Sequence, residues 1–328
     1  MTNDMQFSSV CGIDIAKSVM QVYKVTSDGV VSNKAVKRAN FLDEFRNVPP
    51  ALIGMEACGG SQHWARELQN LGHTVRLMSP KAVKPYVTGL KNDKNDARGI
   101  YTALAMGVRE VPVKSAAIRD LALLQTMRTK RQREKVAKIN HIRGILSEYG
   151  LVMGKSINAF LAKAGSLIAE LKERVDVSSY VVSELITLFE EVKGSILKIQ
   201  ELEKNIQSIA RDNRQYELFL SAPGVGPITA ATMTVLLCNP SVFKNGREFA
   251  TYIGLAPKST GSGGKNIVTH IPSKFDCNNE ARSLLVQCAH SICRLQHKSE
   301  WVSSILMRKP KKVAVIAIAN KSSPRERG

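Results

Sequence analysis

The chain has 328 residues, 44 % hydrophobic and 23 % charged, the balance of a globular protein long enough for two or three domains. Lys and Arg number 47 against 28 Asp and Glu, a net charge of +19, which predicts a polyanionic partner and nucleic acid first of all. No apolar run of about 18 residues is present to span a bilayer and no charged-then-apolar leader opens the chain, so the expectation is a cytoplasmic protein with no membrane partner.

Strand and helix signals alternate over residues 7–112. Runs of β type cover 8–15, 20–25, 30–35, 51–56 and 74–78. Thr26-Ser27-Asp28-Gly29 and Pro49-Pro50 break them apart, and helical patterns cover 61–71, 80–88 and 93–106. Three strands followed by strand–helix–strand–helix predict a mixed α/β sheet, with Pro112 closing the unit. Four acids stand out in it. Asp14 sits in the β-type run Ser9-Val10-Cys11-Gly12-Ile13-Asp14-Ile15, and Glu56 ends Ala51-Leu52-Ile53-Gly54-Met55-Glu56. Asp93 and Asp96 lie three residues apart at the start of the third helix. A carboxylate in such places is costly unless something binds it, and Mg²⁺ is a hard cation held by carboxylates and substrate phosphates. Each acid taken singly has a plainer explanation: Asp93 and Asp96 as dipole-complementing residues, Asp14 as a turn cap, Glu56 as a partner of Lys17 or Arg66. Their joint placement in one α/β unit carries the metal reading.

From 116 to 213 the pattern is helical throughout. Arg128, Lys130, Arg131, Arg133, Lys135, Lys138 and Arg143 stand against the single acid Glu134, which predicts a stripe for a nucleic-acid backbone. Leu185, Leu188, Val192, Ile199, Leu202, Ile206 and Ile209 fall on a and d heptad positions, with Ser195 the interruption. That seam fits an antiparallel helical hairpin or a dimer contact equally.

A further domain begins near Tyr216. Pro223-Gly224-Val225-Gly226 runs into an apolar helix over 228–237, and Gly224 and Gly226 let backbone N–H groups approach a phosphate, or simply make a tight turn between packed helices. The stretch 254–265 follows, a polar, cationic, Gly-rich loop holding Lys258, Ser259, Ser262 and Lys265. It is either a linker or a place where a hydroxyl attacks a phosphate. It lacks the order of a Walker-type phosphate loop. The six cysteines form no C-x-x-C pair and read as reduced thiols. Cys288, His290, Cys293 and His297 cluster in sequence, but Cys288 and Cys293 point in different directions on one helix, which argues against zinc.

Five segments together carry a resemblance: Gly12-Ile13-Asp14-Ile15-Ala16-Lys17, Met55-Glu56-Ala57-Cys58-Gly59-Gly60, Lys91-Asn92-Asp93-Lys94-Asn95-Asp96-Ala97, Pro223-Gly224-Val225-Gly226 and the run 252–265. In order and spacing they resemble the DEDD-type insertion-sequence transposases, the group that includes pilin-gene invertases and bridge-RNA-guided recombinases. The resemblance implies a bacterial, nucleoid-associated enzyme with three parts: a ribonuclease-H-like (RuvC-like) α/β domain at 1–112, a helical, coiled-coil dimerisation segment at 113–213, and a mainly α transposase domain at 214–328 with a helix-hairpin-helix-like motif. It implies Asp14, Glu56, Asp93 and Asp96 as ligands for Mg²⁺, with Mn²⁺ as a substitute, and Ser262 as the nucleophile on double-stranded DNA, with Ser259 as the fallback. Lys17, Lys258 and Lys265 are the expected phosphate contacts, with a plain surface role the alternative for each. A dimer, or a tetramer on DNA, and a structured guide RNA are the implied partners. The alternative on the same fold is a junction-resolving nuclease in which water attacks; a non-catalytic nucleic-acid binder would have no use for the four acids. The chain departs from the family pattern at Gly261, where many relatives carry a second serine, at Ile271-Pro272-Ser273-Lys274, and in the polar tail 322–328.

Overall fold

The computed structural model describes residues 7–257, 259–262, 265–268, 271–273 and 277–322. The chain forms two compact units, Met1–Ser115 with Cys238–Lys244, and Ala116–Leu237 with Asn245–Gly328.

The first unit is built on a six-stranded sheet in the order β3-β2-β1-β4-β5-β6. The strands are β1 (Ser9–Ile15), β2 (Val19–Thr26), β3 (Val31–Lys37), β4 (Leu52–Glu56), β5 (Thr74–Met78) and β6 (Glu110–Val111). β4 runs parallel to β1 and β5 parallel to β4, while β2, β3 and β6 join antiparallel. This mixed α/β arrangement is consistent with a ribonuclease-H-like domain. Four helices accompany it: α1 (Asp43–Arg46), α2 (Ser61–Asn70), α3 (Pro80–Val83) and α4 (Asp93–Ala105). The helix expected over 80–88 stops at Val83 and continues as a 3-10 turn, Lys84–Tyr86, because Pro85 has no N–H with which to extend the ladder. The edge strand β6 and the short α1 were not among the expected elements.

Side chains alternate across a strand, so each central strand feeds two layers. Cys11, Ile13, Ile53 and Met55 pack with Phe41, Phe45, Trp64 and Leu68 on one face. Val10 and Leu52 pack with Ile100, Ala103 and Leu104 of α4 on the other. Gly12 and Gly54 share that second face and set how near α4 comes. A Cβ on Gly12 would sit 2.3 Å from the Ala97 carbonyl oxygen and 2.4 Å from the Tyr101 nitrogen. The α4 backbone therefore lies directly on β1.

The second unit is mostly helical, as expected. Its elements are α5 (Ala116–Glu148), α6 (Ile157–Lys172), α7 (Ser179–Ala210), α8 (Arg214–Leu220), α9 (Pro227–Leu236), α10 (Gly246–Tyr252), the strand pair β7 (Ser259–Ser262) and β8 (Lys265–Val268), α11 (Asn279–Arg294), α12 (Glu300–Arg308) and α13 (Lys311–Ser322). Ser156, Ser178, Asn213, Asn245, Asn278 and Ser299 each accept a backbone N–H at the start of the helix that follows, which is why the helices begin where they do. Val182, Leu185, Phe189 and Val192 of α7 bury against Ile139, Ile142 and Leu146 of α5 and Phe160 and Ile168 of α6. Burying each such side chain contributes roughly 1.5–3 kcal/mol. Arg128 meets Glu203 and Lys138 meets Glu191, so α5 and α7 run antiparallel within one chain. Of the expected seam, Leu188 and Leu202 are half-buried and Ile209 is exposed.

Candidate metal centre

The site grows from a register. Ile13 of β1 pairs with Met55 of β4, so the next residues, Asp14 and Glu56, lie side by side at the ends of neighbouring parallel strands. Both stand two residues beyond a glycine, Gly12 or Gly54, and so share the face that α4 covers. Asn92 caps α4, its side chain accepting the Asn95 N–H at 2.8 Å, and Asp93 and Asp96 fill the first turn. Since Ala97 rests on Gly12, that turn falls over Asp14. Asp14, Asp93 and Asp96 consequently present carboxylate oxygens within 4.8 Å of one another, the one such cluster among the described residues. Asp14 and Asp96 are half-buried and Asp93 is exposed.

Each pair of carboxylates at that distance repels by roughly 3 kcal/mol at an effective dielectric of about 20, less what solvent screens at Asp93. The effect appears in the acids themselves. Burial raises the pKa of Asp14, and the charges of Asp96 and then Asp93 raise it further. Glu56 is raised by burial, then by Asp14 and Asp96. Its carboxylate is coupled to the cluster without belonging to the tight trio. Lys91, just before the α4 cap, opposes both shifts. It opens the segment 91–97, yet its bearing on the acids depends on the fold. The donor set is all hard oxygen with no imidazole or thiolate, which suits Mg²⁺ or Mn²⁺ and not zinc.

The basic helix divides. Lys130, Arg131 and Arg133 are exposed. Arg128 is bonded to Glu203 of α7 at 2.6 Å, and Lys138 to Glu191 at 2.7 Å. Lys135 is buried, and desolvation lowers its pKa. Arg143 donates to the carbonyls of Gly154, Lys155 and Ser156. These four serve the fold of the hairpin. Lys17 is exposed in the turn between β1 and β2, which Arg38 holds by donating to the Ala16 carbonyl at 3.1 Å.

In the Pro-Gly-Val-Gly turn, Gly224 has φ +76°, and a Cβ there would meet Ile292 Cγ1 at 2.8 Å and the Cys288 carbonyl at 3.0 Å. Gly224 is thus required by a tight turn packed on α11; Gly226 precedes α9 in extended backbone. The stretch read as a loop over 254–265 contains a strand instead: β7 pairs antiparallel with β8, and Ser262 lies opposite Lys265, with Ser259 opposite Val268. Lys258 lies outside the described residues. Cys288 is buried beside the Thr229 hydroxyl while His290 is exposed, and the cysteines described are free thiols.

An acidic trio carried by a central strand and the first turn of the helix on it could hold a divalent metal ion in this mixed α/β domain. Comparison with known proteins supplies the family. Residues 11–151 match a transposase model of the DEDD type, and residues 216–303 match the model described as Transposase IS116/IS110/IS902 family. A probable family 20 transposase of Pseudomonas aeruginosa is 35 % identical over 95 % of this chain and 94 % of its own length. The transposase for insertion sequence element IS1111A of Coxiella burnetii is 31 % identical over 98 % of this chain and 89 % of its own. A transposase for insertion sequence element IS1328 of Yersinia enterocolitica is 29 % identical over 95 % and 94 %. The chain belongs to the IS116/IS110/IS902 family of transposases. Among the described residues no helix is long and apolar enough to cross a membrane.

Proposed function

We propose that the protein is the transposase of an insertion sequence, cutting and rejoining double-stranded DNA in a Mg²⁺-dependent reaction through a phosphoserine intermediate. The convergence of Asp14, Asp93 and Asp96 in a chain of charge +19 is the observation that supports this best. Without a cation such a cluster weakens phosphate binding; with one it assists it.

Asp14, Asp93 and Asp96, with Glu56 beside them, would hold the metal. When bound there, the ion supplies neutralisation of the scissile phosphate and acidity for an attacking hydroxyl. Ser262 Oγ then bonds to phosphorus as the bond to the 3′ oxygen breaks, the hydroxyl proton leaving to solvent or the departing oxygen. The serine ester keeps the phosphodiester's energy, so a 3′ hydroxyl from another strand displaces Ser262 without ATP. Ser262, directly before Gly263-Gly264-Lys265, is the preferred nucleophile and Ser259 the alternative. Exposed Lys130, Arg131 and Arg133, together with Lys17, Lys258 and Lys265, supply salt-sensitive backbone affinity. Sequence choice is delegated to a structured guide RNA, a reading that rests on the resemblance to the bridge-RNA-guided recombinases. A dimer, or a tetramer on DNA, brings the two duplexes together.

The test is a covalent trap: protein, RNA from its own locus, element ends and Mg²⁺, resolved on a denaturing gel. A protein–DNA adduct absent from both Ser262→Ala and Asp14→Ala supports the mechanism. Cleaved DNA without an adduct, unchanged in Ser262→Ala, would show a hydrolytic nuclease instead.

A further inference from the structure

The first turn of α4 is also tied to the far edge of the sheet. Gln21 of β2 pairs with Asp14 of β1, so the two side chains share the face beneath α4. Gln21 is 5 % exposed, and its Nε2 donates to Asn33 Oδ1 of β3 at 2.7 Å. Asn33 pairs with Tyr23, which places it on the same face; its Nδ2 donates to the Lys94 carbonyl at 3.1 Å. Lys94 lies between Asp93 and Asp96. A chain of two hydrogen bonds thus runs from beside Asp14 to the turn bearing its partners. The like charges of that turn push it away from Asp14, and the two bonds, with the seating of α4 on Gly12, hold it down.

We propose that Gln21 and Asn33 are positioning residues for the metal centre: they fix the distance between the Asp14 carboxylate and the Asp93–Asp96 turn without touching the ion. This rests on the metal reading of the acids. Outer partners that orient metal ligands typically change affinity by 10–100-fold when removed.

The probe is Mn²⁺, titrated into the full-length protein by calorimetry and by the loss of its free-ion EPR signal. Asn33→Ala is expected to weaken Mn²⁺ binding by ~10-fold with a thermal midpoint changed by only about 2 °C. Thr26→Ala removes bonds to Asp28 and Val30 in the same hairpin but none to α4, and should leave the affinity unchanged. Gln21→Met keeps the buried volume, should show the same loss as Asn33→Ala, and replaces it if that variant does not fold. Affinity in Asn33→Ala within about twofold of wild type, or a loss shared by Thr26→Ala, would overturn the clamp while leaving the metal reading intact. Wild-type protein with no Asp14-dependent Mn²⁺ binding would overturn the metal reading and the clamp with it.

Discussion

Two regions of this chain treat charge in opposite ways. Over β1, the start of α4 packs carboxylate against carboxylate, three within 4.8 Å. Along α5 and α7, two cations drawn into the helix contact meet acids: Arg128 with Glu203, Lys138 with Glu191. The second pattern stabilises a fold. The first opposes it, and persists because α4 is pinned by contacts other than the acids. Paired charges belong to the architecture, and crowded like charges work against it. On the basic helix, Lys130, Arg131 and Arg133 face outward.

Mutations can break or sharpen that contrast. The largest effect is expected at Gly12→Val. Its Cβ has no room against the α4 backbone, so a loss of about 3 kcal/mol or more in urea unfolding is expected, with Mn²⁺ binding lost as the turn lifts. Unchanged stability would mean that α4 is not held by this contact. Next is the Arg128–Glu203 pair, whose side chains are only 18 % and 30 % exposed. Arg128→Ala should cost about 1–2 kcal/mol, with a coupling of about 1 kcal/mol to Glu203→Ala in a double-mutant cycle, and should leave the salt slope of DNA binding alone. A zero coupling would remove the pair from the architecture. The smallest effect on stability, within ~0.5 kcal/mol, belongs to the triple Ala variant of Lys130, Arg131 and Arg133. Yet it should lower the salt slope of nucleic-acid binding by about 2–3. If Arg128→Ala weakened DNA binding as much as that triple variant, the division of the helix would fail.

Much of the acidic unit was legible. The β-type runs put Asp14 in the first strand and Glu56 at the end of another, and the helical pattern over 93–106 put Asp93 and Asp96 at its start. The strand register and the seating of α4 on Gly12, which bring them together, are long-range facts that local pattern does not carry. The inward half of the basic helix was missed because charge was counted without its period. Ile118, Leu121, Ile139, Ile142 and Leu146 are the buried apolar residues of α5, and Lys135 lies on their stripe, one helical turn before Ile139. Read that way, the helix announces which cations turn inward. The segment Cys238–Lys244 gave no such signal. It joins the first unit through Arg109, whose guanidinium lies 4.3 Å from the Phe243 ring centroid, a contact across more than a hundred residues of chain. Gln21 and Asn33 were equally silent, since their meaning depends on two antiparallel registers.

The most direct test of the central claim is a thermal melt of wild type and Asp14→Asn, with and without Mg²⁺, at about pH 5 and pH 7.5. Asp14 and Glu56 hold protons in the fold at pH values where the unfolded chain has released them. Metal-free stability therefore falls as pH rises from the ordinary carboxylate range through the raised folded values. Mg²⁺ should restore it in wild type. Asp14→Asn should melt about 2 °C higher than wild type at pH 7.5 without metal, and respond to neither Mg²⁺ nor that pH step as strongly. An Asp14→Asn protein less stable than wild type without metal, with the same response to Mg²⁺, would contradict the account: Asp14 would then be part of the fold and not part of a metal site.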